Sequence, residues 1–263
     1  ITNLSSVTIN GTMPAGATVQ LFIDRDGNGR YSVGEALGSP VLTNATTGAF
    51  SVGVALGSGT SAIRAYAYNA TTGLPMGQIS DVLNVTVKTT PPGRPGTVEL
   101  LANSDTPLPL NPTGISTGDR ITSDRTPTLR VALPANAQAG DQLRLYNSAT
   151  LIFSISLKDA QITAGSADIG IPDTMPLADG SYSLLASVLD AAGNESEKSL
   201  TPYTLVVDTS GPAAPTAVDL VASDDTGSSN IDNLTRKTGS LTLTGNIASD
   251  TVKLNIYDTV TDT

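Results

Sequence analysis

The chain has 263 residues, with 14 Lys and Arg against 24 Asp and Glu, a formal charge of −10, and no cysteine, histidine or tryptophan. This composition excludes thiol nucleophiles, Ser-His-Asp triads, zinc sites of the Cys/His kind and imidazole proton relays. An acidic chain also lacks the basic surface on which nucleic-acid affinity rests, and no apolar run approaches the roughly 20 residues of a membrane-spanning helix. Neither nucleic acid nor insertion of this segment into a membrane is therefore expected, while the missing cysteines leave the compartment open.

Apolar and polar residues alternate along the chain, which predicts half-buried strands. The first are Ser6-Val7-Thr8-Ile9-Asn10-Gly11 and Val19-Gln20-Leu21-Phe22-Ile23. Directly after them comes Asp24-Arg25-Asp26-Gly27-Asn28-Gly29-Arg30-Tyr31-Ser32-Val33-Gly34-Glu35, which fits the calcium-loop pattern D-x-[DN]-x-[DN]-G-x5-E at every defined position. A hard cation needs six to eight oxygens. Asp24, Asp26 and Asn28 supply side-chain oxygens, and Gly29 permits the sharp turn. Arg30 would add its backbone carbonyl, Ser32 its hydroxyl or a bridging water, and Glu35 both carboxylate oxygens. The flanking segments are strand-like, so the loop is expected at the tip of a β-hairpin and not between helices. Ordinary turn chemistry also accounts for Asp, Asn and Gly here, but not for a Glu at the twelfth position.

Further along, strands are expected at Ile63-Arg64-Ala65-Tyr66-Ala67 and Leu83-Asn84-Val85-Thr86-Val87, and then at Leu143-Arg144-Leu145, Phe153 to Leu157, Tyr182 to Val188 and Tyr203 to Val207. Turn-rich clusters separate them and no long helical period occurs, so the class is all-β, with a sandwich as the best fit. Self-similarity sharpens this reading. Thr97-Val98-Glu99-Leu100-Leu101-Ala102-Asn103-Ser104-Asp105 matches Ala217-Val218-Asp219-Leu220-Val221-Ala222-Ser223-Asp224-Asp225, and the strand pair after each also repeats, with Leu241 to Leu243 and Lys253 to Tyr257 as the later copy. Short proline-containing joints, Val87-Lys88-Thr89-Thr90-Pro91-Pro92-Gly93 and Val207-Asp208-Thr209-Ser210-Gly211-Pro212, close two of the strands and favour stiff connections. The expected organisation is tandem immunoglobulin-like β-sandwich modules at 1–90, 91–210 and 211–263. The first and last are incomplete, as in a fragment of something longer.

A second acidic signal is Asp190-Ala191-Ala192-Gly193-Asn194 together with Asp208, which would hold a cation at the joint toward the following module if the strands bearing them are adjacent. The same residues also suit an Asx turn on an acidic surface. At the preceding joint Asn69 stands where Asp190 would be and Lys88 where Asp208 would be, so the joints are expected to differ. Asp105, Asp119 and Asp124, and likewise Asp224, Asp225 and Asp232, form looser acidic sets. Paired carboxylates can hydrolyse glycosides, but every clustered acid lies in a turn-rich loop and aromatic residues make up only 4 % of the chain. No catalytic residue is assigned.

Four segments carry a family resemblance: Leu-Asp-Ala-Ala-Gly-Asn at 189–194, Val-Asp-Thr-Ser-Gly-Pro at 207–212, the stretch from Ser223 to Thr235, and Arg-Thr-Pro-Thr-Leu at 125–129. In these the chain resembles the bacterial immunoglobulin-like repeats of large RTX-type and biofilm-type surface adhesins. Module one departs from that pattern at Asn69 and Lys88, and its calcium loop is closer to those of Gram-positive surface repeats. The resemblance implies an extracellular extender at the bacterial cell surface. In such a region neighbouring modules and Ca2+ are the direct partners, while other domains of the parent protein engage host or surface ligands. Two alternatives remain: a structural subunit of a surface layer or filament, and a glycan- or protein-binding module with a groove lined by Tyr66, Tyr68 or Tyr182.

Overall fold

The computed structural model describes residues 1–105, 118–249, 251 and 254–257. Strands dominate these residues, and the α-helix α1 (Asp159–Ala164) has six. The class is all-β, with immunoglobulin-like sheets.

Six strands form the first stretch: β1 (Ser6–Thr12), β2 (Thr18–Ile23), β3 (Ala36–Leu42), β4 (Ala49–Ala55), β5 (Gly59–Tyr68) and β6 (Leu83–Val87). β1 pairs with β4, while the other four make a sheet in the order β3-β2-β5-β6. The register puts Val19 opposite Ala67 and Leu21 opposite Ala65, so the apolar members of the alternation share one face. Val19, Leu21, Ile63, Ala65, Ala67 and Val87 are buried in one cluster with Val52 and Val54 of β4, and Val7 and Ile9 of β1 pack against it. Two sheets joined through apolar faces are a sandwich. Between β3 and β4 the chain reverses at Gly48, whose φ is +70° and where an added Cβ would lie 2.0 Å from the Met13 carbonyl oxygen.

The middle stretch supplies β7 (Val98–Leu100), β8 (Ile121–Thr122), β9 (Thr128–Ala132), β10 (Gln142–Asn147), β11 (Thr150–Ser156), β12 (Ser166–Gly170), β13 (Gly180–Leu189) and β14 (Tyr203–Val207). These form sheets in the orders β11-β10-β13-β14-β8 and β12-β9-β7. Alternate residues are again the buried ones: Leu129 and Val131, Leu143 and Leu145, Leu184, Ala186 and Val188, Leu205 and Val207.

The last described stretch holds only β15 (Thr216–Leu220) and β16 (Leu243–Asn246), an antiparallel pair. The expected strand at 253–257 is not formed at residues 254–257, and Lys253 lies outside the described residues. Two strands cannot enclose an apolar face, and Val218, Leu243, Ile247 and Ile256 are accordingly exposed.

By compactness the chain divides into two units, residues 1–98, 130–169 and 184–203 in one and residues 99–129, 170–183 and 204–263 in the other. The first contains the sandwich of β1 to β6 and the acidic loop between β2 and β3. The second contains the β15–β16 pair and the buried polar residues Ser104, Asp105, Thr122, Asp224 and Asp225.

Candidate metal centre

β2 ends at Ile23 and β3 begins at Ala36, and the hairpin is closed by the Ile23 N–H donating to the Glu35 carbonyl at 3.0 Å. The twelve residues between are organised by their own carboxylates. Glu35, only 6 % exposed, turns inward. Its Oε1 accepts from the backbone N–H of Arg25 at 2.8 Å and of Asp26 at 3.4 Å, and its Oε2 accepts from the N–H of Ser32 at 2.9 Å. The glutamate thus holds both limbs of the loop, a task no turn-forming residue at that position would perform.

Asp24 Oδ2 accepts from the Gly29 N–H at 2.9 Å, drawing the tip back over the base. Asp26 Oδ1 accepts from the Asn28 N–H at 3.0 Å, and Asn28 Oδ1 from the Arg30 N–H at 2.6 Å, two successive Asx turns. The Asn28 side-chain amide donates to Asp26 Oδ2 at 2.7 Å and to Ser32 Oγ at 3.3 Å. Gly27 and Gly29 sit at φ +71° and +72°, where a side chain would be strained.

The result is a cluster of carboxylate oxygens. One carboxylate oxygen each of Asp24, Asp26 and Glu35 lies within 4.8 Å of the others. Asp24 Oδ1 is buried and has no hydrogen-bond partner. Such an atom carries a desolvation cost that no hydrogen bond among the described residues offsets. Glu35 Oε2, which accepts from one backbone N–H, keeps a second lone pair. An all-oxygen set with three negative charges suits a hard divalent cation such as calcium and not a softer metal. Of the sequence-derived residues, Asp24, Asp26 and Glu35 are gathered, Asn28 and Ser32 are hydrogen-bonded to Asp26, and Arg30 is tied to Asn28.

Two contacts of the loop were not anticipated from the sequence. Arg64, opposite Phe22 on β5, places Nε 3.7 Å from Asp24 Oδ2 and donates through Nη1 to the Ser80 carbonyl at 3.0 Å. Tyr31, within the loop, stacks on Tyr66 with ring centroids 5.8 Å apart, and Tyr66 on Tyr68 at 5.6 Å. Strand alternation from Ile63 puts Arg64, Tyr66 and Tyr68 on one face, the signal that could have linked them to the loop.

The second group lies elsewhere. Asp190 follows β13, and its side chain is completely buried. Its Oδ1 accepts from the N–H groups of Ala192 at 2.9 Å and Asn194 at 2.8 Å, and its Oδ2 from the Asn194 side chain at 3.0 Å. Lys88 Nζ stands 3.2 Å from that Oδ2. Burial works against the charge of Asp190, yet the Asn194 donors and the Lys88 ammonium outweigh it and hold the carboxyl below the usual carboxylate range. Asp208 keeps other company: its N–H donates to the Thr122 carbonyl at 2.9 Å and its Oδ1 accepts from the Ser210 N–H at 3.0 Å.

Among the looser acids, Asp105 is buried and accepts from the Gly118 N–H, while Asp119 and Asp124 accept from Ile121 and Thr126 two residues on. Asp224 pairs with Lys237. Asp225 accepts from the Asn233 N–H at 3.2 Å through Oδ2, while its Oδ1 is buried without a partner. Asp232 accepts from the Leu234 N–H at 3.1 Å.

Residues 94–209 match the family described as the bacterial Ig-like domain. Among solved structures, the fibronectin(III)-like modules of Clostridium thermocellum CbhA are 12 % identical, with 78 % of this chain and 86 % of that one covered and a TM-score of 0.42. A marsupial T cell receptor is 10 % identical over 83 % of this chain and 73 % of that one, with a TM-score of 0.45. A tetra-tandem repeat from the extending region of a large adhesion protein is 19 % identical over 82 % and 48 %, with a TM-score of 0.30. No curated protein matches the chain.

Proposed function

We propose that the chain is a non-catalytic spacer of tandem immunoglobulin-like modules in an extracellular bacterial surface protein, and that Ca2+ bound by the loop from Asp24 to Glu35 stiffens it. The observation that carries the calcium reading is the buried, unpartnered Asp24 Oδ1 beside the carboxylates of Asp26 and Glu35. Three like charges at this spacing repel, and a cation relieves the repulsion while supplying the missing partner. The bacterial immunoglobulin-like match over 94–209 supports the module type. The repeated segments at 97–105 and 217–225, with proline-containing joints after Val87 and Val207, support a tandem arrangement of stiffly connected modules.

In a spacer the work is mechanical. Calcium acts by mass action on the folded loop, adding stability without being needed for the apolar core of each module. The test is calorimetric calcium titration of the wild type and of Asp24→Ala/Glu35→Ala, with small-angle scattering in calcium and in EDTA. Saturable binding that the double variant loses, with a particle that bends more on chelation, is the expected result. Absence of binding with unchanged scattering would reduce the loop to a solvated turn.

A further inference from the structure

The contact around Lys88 points to a different device from the calcium loop, and it involves residues distant in sequence but within one compact unit. Lys88 follows β6, and its N–H donates to the Thr2 carbonyl at 2.9 Å, while the Thr2 N–H donates to Thr86 at the same distance. The chain start and the end of β6 thus form one small platform. Onto it docks the turn after β13: Asn194 Nδ2 donates to the Lys88 carbonyl at 2.7 Å, and Asn3 Nδ2 donates to the Gly193 carbonyl at 3.2 Å. At the centre Lys88 Nζ meets the fully buried carboxylate of Asp190.

A carboxylate removed from water needs a cation or a full set of donors. Here two backbone N–H groups and one amide supply part of the set, and the lysine supplies the charge. We infer that Lys88 is an internal cation that fastens the Asp190–Asn194 turn to the platform of Thr2, Asn3 and Lys88, so that this contact holds without a metal. The role goes beyond the calcium loop and is independent of it. The corresponding strand end after β14 carries Asp208 in place of Lys88, so the same fastening cannot form there with an acidic turn unless a cation from solution enters.

The turn reports on itself, because the Ala192 and Asn194 N–H groups are sequestered by Asp190 Oδ1. Hydrogen–deuterium exchange of residues 190–196 in the full chain is the measurement, in EDTA and in millimolar calcium. Four proteins are compared: wild type, Lys88→Met, Asp190→Asn and the double variant. Protection in the wild type is expected to be the same in both buffers. Lys88→Met, which keeps the apolar stem and strands the buried charge, should lose protection at least tenfold in both. The double variant, with both charges gone, should recover most of that loss, and amides of β2 and β5 serve as the internal control for global unfolding. Wild-type protection that falls in EDTA would overturn the inference, as would unchanged protection in Lys88→Met or a double variant no better than that single one. Failure of calcium to affect residues 24–35 would refute the proposed stiffening but leave this fastening intact.

Discussion

Asp24→Asn separates a metal site from a decorative turn because its effect should change sign with calcium. In the wild type, carboxylate oxygens of Asp24, Asp26 and Glu35 lie within 4.8 Å of one another, and Asp24 Oδ1 has no partner. At that separation each like-charged pair costs about 1–3 kcal/mol for a partly buried site, of which Arg64, 3.7 Å from Asp24, returns a part. The amide keeps an acceptor for the Gly29 N–H and removes a charge, so in EDTA the variant should be as stable as the wild type or more stable by about 1–2 kcal/mol. In calcium the order should reverse. A ligand at a hundredfold excess over its dissociation constant adds about 2.7 kcal/mol to the protein that binds it, which for a module of this size raises the melting temperature by about 10–20 °C. Thermal melts followed by near-ultraviolet dichroism, to which the stack of Tyr31, Tyr66 and Tyr68 contributes along with the other four tyrosines, would read the shift. A variant that melts lower by the same amount in both buffers would refute the metal reading.

Two further outcomes follow from the same geometry. Asp190 and Glu195 are both held below the ordinary carboxylate range against the opposing effect of burial, Asp190 by Asn194 and Lys88, Glu195 by Ser187, Tyr146 and Arg144. A depressed folded-state pKa gives stability that is present above the unfolded value near 4 and is lost as pH falls through the folded value. Exchange protection around residues 188–196 should therefore stay level from pH 7 to about pH 4 and fall only below it; a decline already between pH 7 and 5 would contradict this assignment. Gly48→Ala would force a side chain onto a φ of +70° and against the Met13 carbonyl. It should cost about 2 kcal/mol or more, seen as a melting temperature lower by roughly 10 °C, and a shift of a degree or less would show that the turn relaxes freely.

The alternation of apolar residues made the strands legible because a period of two survives any arrangement of neighbours. Val19 to Ile23 and Ile63 to Ala67 are strands with the expected faces inward, and Tyr203 to Val207 is β14. Sheet order was not legible, since the parallel pairing of β14 with β8 depends on tertiary packing and not on local pattern. Residues 254–257 read as strand but form none, because a local preference for extended backbone cannot supply the neighbouring strands that would bury Leu254 and Ile256. At the loop, spacing singled out Asp24, Asp26, Asn28, Arg30, Ser32 and Glu35, of which the structure brings the carboxylates of Asp24, Asp26 and Glu35 together, but it could not show that Glu35 would be sequestered by three backbone N–H groups or that Arg64 would approach from β5. The Lys88 contact was half legible: laying the repeats over one another exposed the lysine as an exception, but its partner lies a hundred residues away in sequence.

These acidic turns meet the same electrostatic difficulty in two ways. A carboxylate that organises backbone N–H groups must leave water, and once buried it needs positive charge close by. At Asp190 the chain carries that charge itself on Lys88, whose side chain is 34 % exposed while the carboxylate is not exposed at all. The arrangement is permanent and indifferent to the ions in solution. Around Asp24 three carboxylates converge and, among the described residues, Arg64 at 3.7 Å is the one ion-pair partner, with one buried oxygen left unmet. Under the proposed calcium binding, that imbalance would make the loop responsive, its stability following the concentration of a cation outside the molecule. Lys88 and Asp24 thus mark two solutions: a contact inferred to hold without a metal, and a hairpin proposed to tighten when calcium is present.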